Sequence, residues 1–361
     1  MLKYVFSQTL NGWNSKVLAL AIALTGCVQS NQTTVSPTGE GTVSGDKPSV
    51  VVSHRVLCDL TKEIAQDTIQ LNCLLDPNQD PHTYRATPSH RKAVETAQLI
   101  LYGGYDAEAG VEGLIEASNT SAPIVAVFEE AVPNPLEGEV HHHDHGEKEQ
   151  GEHSDHEENH AADKGEKVPD PHVWHDVQNG MAMVDVIRNQ LTQINPAQAD
   201  LYAENAQQLT SQLDQLDTWV NAQVATIPPG KRTIVTTHDA LAYYVNAYGF
   251  EAAESLQGLS TEETPSAARV KELVETIEQA KVPTIFVETT TNSTAIETVA
   301  READVKVSEQ KLIVGSLGDQ NSDTGTYIGM ITHNTCAIAK GLGGTCTPFK
   351  MMTGDNQPEE E

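Results

Sequence analysis

The feature that most constrains the fold of this chain is a repeated alternation of short β-branched runs with longer segments of helical periodicity. The apolar runs predict strands, whereas apolar residues three or four positions apart, such as Val56, Leu60 and Ile64, predict helices between them. This alternation indicates parallel sheets that are covered by helices. The predicted strands are residues 49–53, 69–75, 99–102, 124–128, 234–237 and 284–287.

The alternation stops in the middle of the chain, where residues 181–194 and 209–224 carry two helical patterns separated by Asn195-Pro196. We therefore predict an α/β fold of two lobes, each a mainly parallel sheet with helices, joined by linker helices. In the second lobe, Pro265 is expected in the first turn of a helix. The predicted segments are a first lobe at 48–176, linker helices at 177–226, a second lobe at 227–350 and an acidic tail at 351–361.

The N-terminus has the composition of an export signal. Two lysines accompany the apolar run 17–24, which is much shorter than the roughly 20 residues that span a bilayer. The run ends in Leu24-Thr25-Gly26-Cys27, which resembles a bacterial lipobox; an ordinary signal peptide with a chance cysteine is the alternative. We expect a signal peptide at 1–26, a flexible tether at 27–47 and a lipid anchor on Cys27.

Four cysteines remain beyond Cys27, and an even number outside the cytoplasm favours two disulfides. Three connectivities are open, and four reduced structural thiols are an alternative. We expect sequence neighbours to pair, because each pair falls within one supersecondary unit. The predicted bonds are Cys58–Cys73 and Cys336–Cys346. The cysteines have no C-x-x-C spacing that would suggest a zinc site.

Residues 137–170 differ from both lobes, with 12 acids, 3 lysines and seven histidines. Such a segment has little apolar surface to bury, so we predict a disordered insertion. Because His-rich tracts bind divalent metals, its histidines are candidate low-affinity ligands, with a merely solvated acidic loop as the alternative. His156–His160 matches H-E-x-x-H, but its polar surroundings lack the half-buried helix of a zinc protease. The candidate ligands are His141, His142, His143, His145, His153, His156 and His160.

Three other histidines give a sharper signal. His82 follows the second predicted strand, His172 precedes the linker helices, and His238 ends a strand of the second lobe. Ligands of parallel sheets bind at the carboxyl ends of the strands, where two lobes can face each other across a cleft. A single histidine is more often a surface or core residue, but three in similar contexts predict a metal site between the lobes.

In these stretches the chain resembles the metal-binding lipoproteins of ABC importers, the cluster A-I solute-binding proteins, and in particular their zinc-uptake ZnuA-like branch. The resemblance implies two α/β lobes bridged by one long linker helix, a metal bound by His82, His172 and His238, and delivery of that metal to a membrane permease. An acidic His-rich insertion before the second histidine is typical of the zinc branch. The matching stretches are DPHTYRATP, DPHVW, THDALAYY, LQGLSTEETPS and TYIGMITHN.

One departure from the family concerns the fourth ligand. The family commonly has an aspartate where this chain has Gly315, which offers no side chain to a metal. We assign the fourth position to water or to Asp319. Glu288, at a strand end, is expected to orient a ligand imidazole. His175 is expected to pack behind the site, and His333 is expected to be structural.

Three neutral imidazoles favour zinc, whereas manganese prefers carboxylate oxygens. We expect a periplasmic or cell-surface lipoprotein that captures Zn²⁺ for an ABC permease, acts as a monomer and catalyses nothing. The alternatives are a manganese-binding member of the same family, a zinc-dependent hydrolase and an adhesin, although the sequence has no G-x-S-x-G, P-loop or dinucleotide motif. The 51 acidic and 22 basic residues give a net charge of −29, which argues against nucleic acid as a partner.

Overall fold

The structure is a computed structural model that describes residues 47–140 and 166–352. Its first lobe contains a four-stranded parallel sheet in the order β2-β1-β3-β4. The central strand is an uninterrupted run of three valines that are buried on both faces, as expected for a parallel sheet. The strands are β1 (Ser49–Val52), β2 (Gln70–Cys73), β3 (Leu99–Tyr102) and β4 (Ile124–Ala126).

Helices follow these strands and cover the sheet. The predicted strand at 124–128 is too long, because the chain turns into a helix at Val127, where the side chains of Val127 and Phe128 enter the core. The backbone N–H of Phe128 then donates to the carbonyl of Gly103 at 2.9 Å instead of extending the strand. The helices are α1 (Arg55–Ala65), α2 (Pro88–Thr96), α3 (Ala109–Glu116) and α4 (Val127–Ala131).

The two ends of the predicted insertion are ordered, which corrects the expectation of disorder throughout 137–170. Strands β5 (Glu137–Val140) and β6 (Glu166–Pro169) pair antiparallel, so their backbone groups bond each other despite a polar sequence. Gly138 packs closely on the second lobe, since a Cβ there would lie 2.6 Å from Leu259 Cδ2. Asp170, which ends the segment, is buried. The seven histidines of the insertion lie outside the described residues.

Two helices link the lobes, α5 (Val177–Ile194) and α6 (Ala199–Val224). Helix α5 ends before Asn195, because the residue before a proline disfavours the helical conformation. Helix α6 has 26 residues and is therefore roughly 39 Å long at 1.5 Å per residue. Its buried positions recur at intervals of three and four: Leu209, Leu213, Leu216 and Val220.

The second lobe repeats the parallel arrangement with shorter strands. Strand β7 (Thr233–Thr236) pairs with β8 (Ala252–Ser255), and β9 (Thr284–Ile285) pairs with β10 (Lys306–Val307). The backbone N–H of Phe286 donates to Val235 O at 2.8 Å and so connects the two pairs. The sequence analysis missed β8 and β10, which are short and only partly buried.

The helices of this lobe are α7 (Ala242–Tyr248), α8 (Ala267–Ala280), α9 (Thr294–Glu302) and α10 (Tyr327–Gly341). Helix α8 begins two residues later than predicted, because Ser266 caps it by accepting a hydrogen bond from the N–H of Arg269 at 3.1 Å. Pro265 therefore precedes the cap. The α/β fold class predicted from the sequence is confirmed.

Both predicted disulfides are present. Cys58 of α1 is bonded to Cys73 of β2, with Cα atoms 6.0 Å apart, and Cys336 of α10 is bonded to Cys346, with Cα atoms 5.2 Å apart. The predicted signal peptide, tether and lipidation site at Cys27 lie outside the described residues. Among the helices that the structure describes, none has the length and apolarity required to cross a membrane.

Candidate metal site

Three loops bring His82, His172 and His238 together, and we refer to these residues as the histidine trio. His82 lies in the loop after β2, His172 precedes a 3₁₀ turn that leads into α5, and His238 follows β7. The Nε2 atoms of His82 and His172 are 3.3 Å apart, and one ring nitrogen from each of the three residues lies within 4.8 Å of the others. Two imidazole nitrogens on a tetrahedral zinc, at about 2.0–2.1 Å from it, are about 3.3 Å apart.

Two members of the trio are presented by the same local turn. In Asp80-Pro81-His82, Asp80 Oδ1 accepts a hydrogen bond from the backbone N–H of His82 at 3.0 Å. In Asp170-Pro171-His172, Asp170 Oδ1 accepts the equivalent bond at 2.9 Å. An aspartate that bonds the backbone two residues later closes an Asx turn, and proline fixes the φ angle inside it. The repeated D-P-H sequence is the signal from which these roles of the aspartates could have been predicted.

Carboxylates orient the two fully buried rings. His172 Nδ1 lies 2.8 Å from Asp170 Oδ1, and His238 Nδ1 lies 2.5 Å from Glu288 Oε2. A carboxylate that accepts the Nδ1 proton leaves Nε2 as the free donor for a metal. The Nε2 atom of His238 is buried and has no hydrogen-bond partner within the described residues. Each of these carboxylates belongs to the same lobe as its histidine.

The surroundings of the trio control its protonation. Burial lowers the pKa of His82 and of His172 well below its usual value, and neighbouring imidazoles add to this effect. Burial opposes the charge on His238 as well, but the carboxylates around it, Glu288 first and then Asp80 and Asp239, together raise the pKa of His238. Burial also raises the pKa of Asp170 to about 7. Two of the three rings are therefore held neutral, which is the form that binds a metal.

Behind the trio, buried rings fix the segment that contains Gly315. The indole Nε1 of Trp174 and the Nε2 of His175 each donate to Val314 O at 3.1 Å. His54, which the sequence analysis missed, packs on Trp174 with ring centroids 4.3 Å apart, and burial lowers its pKa to about 3. His333 lies away from the trio, with its Nε2 2.9 Å from the carbonyl of Lys311.

The structure does not bring Asp319 to the trio. Its side chain is exposed, and its Oδ1 accepts a hydrogen bond from Asn78 at 3.4 Å. Among the described residues, the cluster of metal-ligating groups consists of the three histidines alone. At Gly315, a Cβ would lie 3.2 Å from Pro81 Cδ and 3.4 Å from Thr290 Oγ1, so this position borders the loop that carries His82.

Comparison with known proteins identifies the family. Residues 50–341 match the profile of the ZnuA family, described as the periplasmic zinc-uptake complex component A. The chain belongs to this family. The zinc-binding protein TroA of Treponema pallidum is 32% identical over 82% of this chain and 89% of its own length. The manganese-binding lipoprotein MntA of Bacillus subtilis is 29% identical over 92% of this chain and 99% of its own.

A solved structure of a ZnuA-family relative agrees with this assignment. The structure of periplasmic zinc-binding protein TroA superposes with a TM-score of 0.71 at 31% identity, and covers 82% of this chain and 99% of its own. Members of the family are solute-binding proteins of ABC importers that act outside the cytoplasm, and they are not enzymes. The hydrolase alternative is therefore excluded. The relatives divide between zinc and manganese in their names.

Proposed function

We propose that this protein captures Zn²⁺ with His82, His172 and His238 and delivers it to the permease of an ABC importer. The observation that supports zinc is the donor set, because the metal-ligating cluster in the described residues is three imidazoles with no carboxylate. Imidazole suits zinc, whereas manganese prefers sites rich in oxygen ligands. The separation of 3.3 Å between two Nε2 atoms also fits a tetrahedral ion.

Manganese is the second candidate, since several relatives are named as manganese-binding lipoproteins. Asp170 and Glu288 do not supply its oxygen ligands, because each is hydrogen-bonded to the Nδ1 side of a histidine rather than placed beside the Nε2 atoms.

The proposal has three further parts. They are a lipid anchor on Cys27, a monomeric state and weak metal binding by the histidines of the insertion.

Competition between the two metals tests the proposal. The mature protein, stripped with a chelator, is titrated with zinc in the presence of excess manganese, and bound metals are measured by mass spectrometry. We expect one tightly held zinc ion that excess manganese does not displace. Retention of manganese instead of zinc would overturn the choice of metal.

The ligands are tested by replacing each member of the histidine trio with alanine. Each variant is expected to lose zinc affinity by about a hundredfold or more, because a zinc site depends on all of its protein ligands. His333→Ala is the matched control, since that ring bonds a backbone carbonyl away from the trio. Unchanged affinity in any one trio variant would remove that residue from the site.

Deletion of the gene separates transport from adhesion. Loss of growth under zinc limitation would support a role in zinc transport.

A further inference from the structure

Each D-P-H turn of the first lobe is bonded by a hydroxyl of the second lobe. Oγ1 of Thr261 donates to Oδ2 of Asp80 at 2.5 Å. Oη of Tyr243 donates to the backbone carbonyl of Asp170 at 3.2 Å. These two aspartates close the turns that present the histidines of the first lobe. The second lobe therefore contacts each ligand turn at the residue that fixes its shape.

The two oxygens of Asp80 bond partners from different lobes. Oδ1 accepts the backbone N–H of His82 at 3.0 Å, and Oδ2 accepts the hydroxyl of Thr261. Asp80 is buried, and a hydrogen bond to a carboxylate is roughly twice as strong as one between neutral groups. One carboxylate thus joins a side chain of the second lobe to the backbone of a proposed ligand in the first.

The loop that carries Thr261 is itself attached to the ligand of the second lobe, and we call residues 256–264 the bridging loop. The backbone N–H of Gln257 donates to the carbonyl of the residue before His238 at 2.9 Å. The N–H of the residue after His238 donates to the carbonyl of Gly258 at 3.0 Å. Within the loop, Nε2 of Gln257 donates to the carbonyl of Thr261 at 3.1 Å. The bridging loop therefore links the ligand of the second lobe to a turn of the first.

Tyr243, in α7, makes the corresponding contact with the other turn. Its buried hydroxyl accepts the N–H of Leu136 at 2.9 Å and donates to the carbonyl of Asp170. The N–H of Asp170 in turn donates to the carbonyl of Leu136 at 2.7 Å. The side chain of Asp170 orients His172, so Tyr243 holds the segment that sets this ring. Loss of the hydroxyl would leave a backbone donor and a backbone acceptor without this partner.

We propose that Thr261 and Tyr243 are positioning residues through which the second lobe sets His82 and His172 in place as the lobes meet around the metal. Their hydrogen bonds cross between the lobes and exist only when the lobes lie together, and the trio needs the same arrangement. Whatever favours the two bonds therefore favours the site, and a bound metal favours the bonds in return. This inference deepens the proposed function and rests on it, because it takes the trio as the zinc site.

The role of Thr261 is tested on the full chain by competition for zinc with a chelator. Thr261→Val is expected to weaken zinc binding by about tenfold, through loss of a hydrogen bond to a charged group. Thr261→Ser keeps the hydroxyl and is expected to retain wild-type affinity. Thr284→Val is the matched control, because its hydroxyl donates to Gly341 O at 2.8 Å within the second lobe. A bond that served stability alone would lower the urea midpoint of both valine variants and change the zinc affinity of neither.

The route of the effect is tested in the Asp80→Ala background. If Thr261 acts through Asp80, Thr261→Val should weaken zinc binding there by less than twofold, because its partner is already absent. A further tenfold loss in this background would overturn the route through Asp80. If circular dichroism shows that Asp80→Ala is unfolded, the comparison of valine with serine at position 261 decides the result.

Tyr243→Phe is expected to weaken zinc binding by about fivefold, since it removes hydrogen bonds between neutral groups. Tyr244→Phe is the matched control, because this neighbouring hydroxyl donates to Oγ1 of Thr335 at 3.0 Å within the second lobe. Wild-type zinc affinity in Thr261→Val or in Tyr243→Phe would overturn the assignment of that residue. Failure of the proposed function would appear instead as wild-type affinity in His82→Ala, and it would overturn both proposals.

Discussion

Both carboxylate oxygens of Glu288 bind the residue that the second lobe contributes to the trio. Its Oε2 lies 2.5 Å from Nδ1 of His238, and its Oε1 accepts the backbone N–H of His238 at 3.0 Å and that of Thr237 at 2.9 Å. The ring and the backbone of His238 are therefore fixed by one side chain that is itself fully buried. This contact leaves Nε2 as the nitrogen that would bind the proposed metal.

Replacement of Glu288 by glutamine is expected to lower zinc affinity 10- to 100-fold, because the ring loses the charge that orients it and raises its basicity. Asp170→Asn should act similarly through His172, whose Nδ1 lies 2.8 Å from Asp170. Glu297→Gln, on the surface of α9, is the matched control. Competition with a chelator measures the zinc affinity of all three variants. Wild-type affinity in both site variants would show that the carboxylates do not tune the site.

The pH dependence of zinc binding is expected to follow His238. Its pKa is raised above the ordinary value of 6.5, so protons compete with zinc for this ring at higher pH than they would for an ordinary histidine. Affinity should therefore fall as pH decreases below this pKa, by about tenfold per pH unit for one proton. Because the pKa values of His82 and His172 are lowered, protons compete with zinc for these two rings only at more acidic pH.

Calorimetry in buffers of different ionisation enthalpy gives the number of protons released. Glu288→Gln should shift the onset of the decline to lower pH, because it removes the charge that raises the pKa of His238. A release of three protons at neutral pH would contradict the assignment of His82 and His172 as neutral rings.

Introduction of a carboxylate at Gly315 is expected to change the choice of metal. The Cβ of residue 315 would point between Pro81 and Thr290, next to the loop of His82. Gly315→Asp should therefore supply an oxygen ligand and increase the ability of manganese to compete with zinc. Gly315→Asn introduces the same volume without the charge and is the control. If the two variants bind manganese equally weakly, position 315 does not reach the metal.

Removal of residues 142–164 is expected to reduce the total number of bound zinc ions but to leave one tight site. This deletion retains β5 and β6, whose pairing joins the segment to the first lobe. The sequence of the insertion has little apolar surface to offset the entropy of ordering residues around an ion, roughly 1–2 kcal/mol per residue, so its sites should be weaker than the trio. Calorimetry on the full chain and on the deletion variant measures the number of bound zinc ions. Loss of the tight site would mean that the insertion supplies a primary ligand.

Glu108 is expected to make stability decrease with rising pH. It is fully buried, accepts from Ser53 Oγ at 2.6 Å and from the N–H of Gly103 at 3.1 Å, and burial raises its pKa from 4.5 to about 7. The folded state therefore binds the proton more tightly than the unfolded state. The resulting stability is present below pH 4.5 and is lost as pH rises through about 7.

The size of this loss follows from the shift, which corresponds to about 3 kcal/mol in the free energy of unfolding. Urea denaturation of the metal-free protein at pH 5 and pH 8, compared with Glu108→Gln, isolates this contribution. Glu108→Gln should lose less stability than the wild type between the two pH values. Parallel pH profiles of the two proteins would contradict the prediction.

The sequence predicted the features that local pattern determines. Buried parallel strands such as β1 and β3 are continuous apolar runs. Helix α5 ends directly before Asn195, because the residue before Pro196 disfavours the helical conformation. Strand β8 was missed because its sequence, Ala252–Ser255, has no apolar run; its partner β7 and the backbone ladder between them determine its structure.

The close approach of the three histidines was predictable to a similar degree. The D-P-H turns and the strand end at His238 are local signals, and they suffice to name the three histidines. The role of Asp170 was missed because its bond to Nδ1 depends on the ring orientation, which tertiary packing sets. His54 was missed for a related reason, since its contact with Trp174 joins residues 120 positions apart.

Asp170 and Glu288 each lie in the same lobe as the histidine that they orient, and this affects how the protein passes through repeated cycles of metal binding and release. If the lobes separate at the permease, the ion loses its ligands, but the His172–Asp170 and His238–Glu288 pairs each remain intact. The rings would then keep their tautomers and orientations in the emptied protein, ready for the next ion without rearrangement. Repeated cycles of zinc loading and chelation should therefore show the same association rate in the last cycle as in the first.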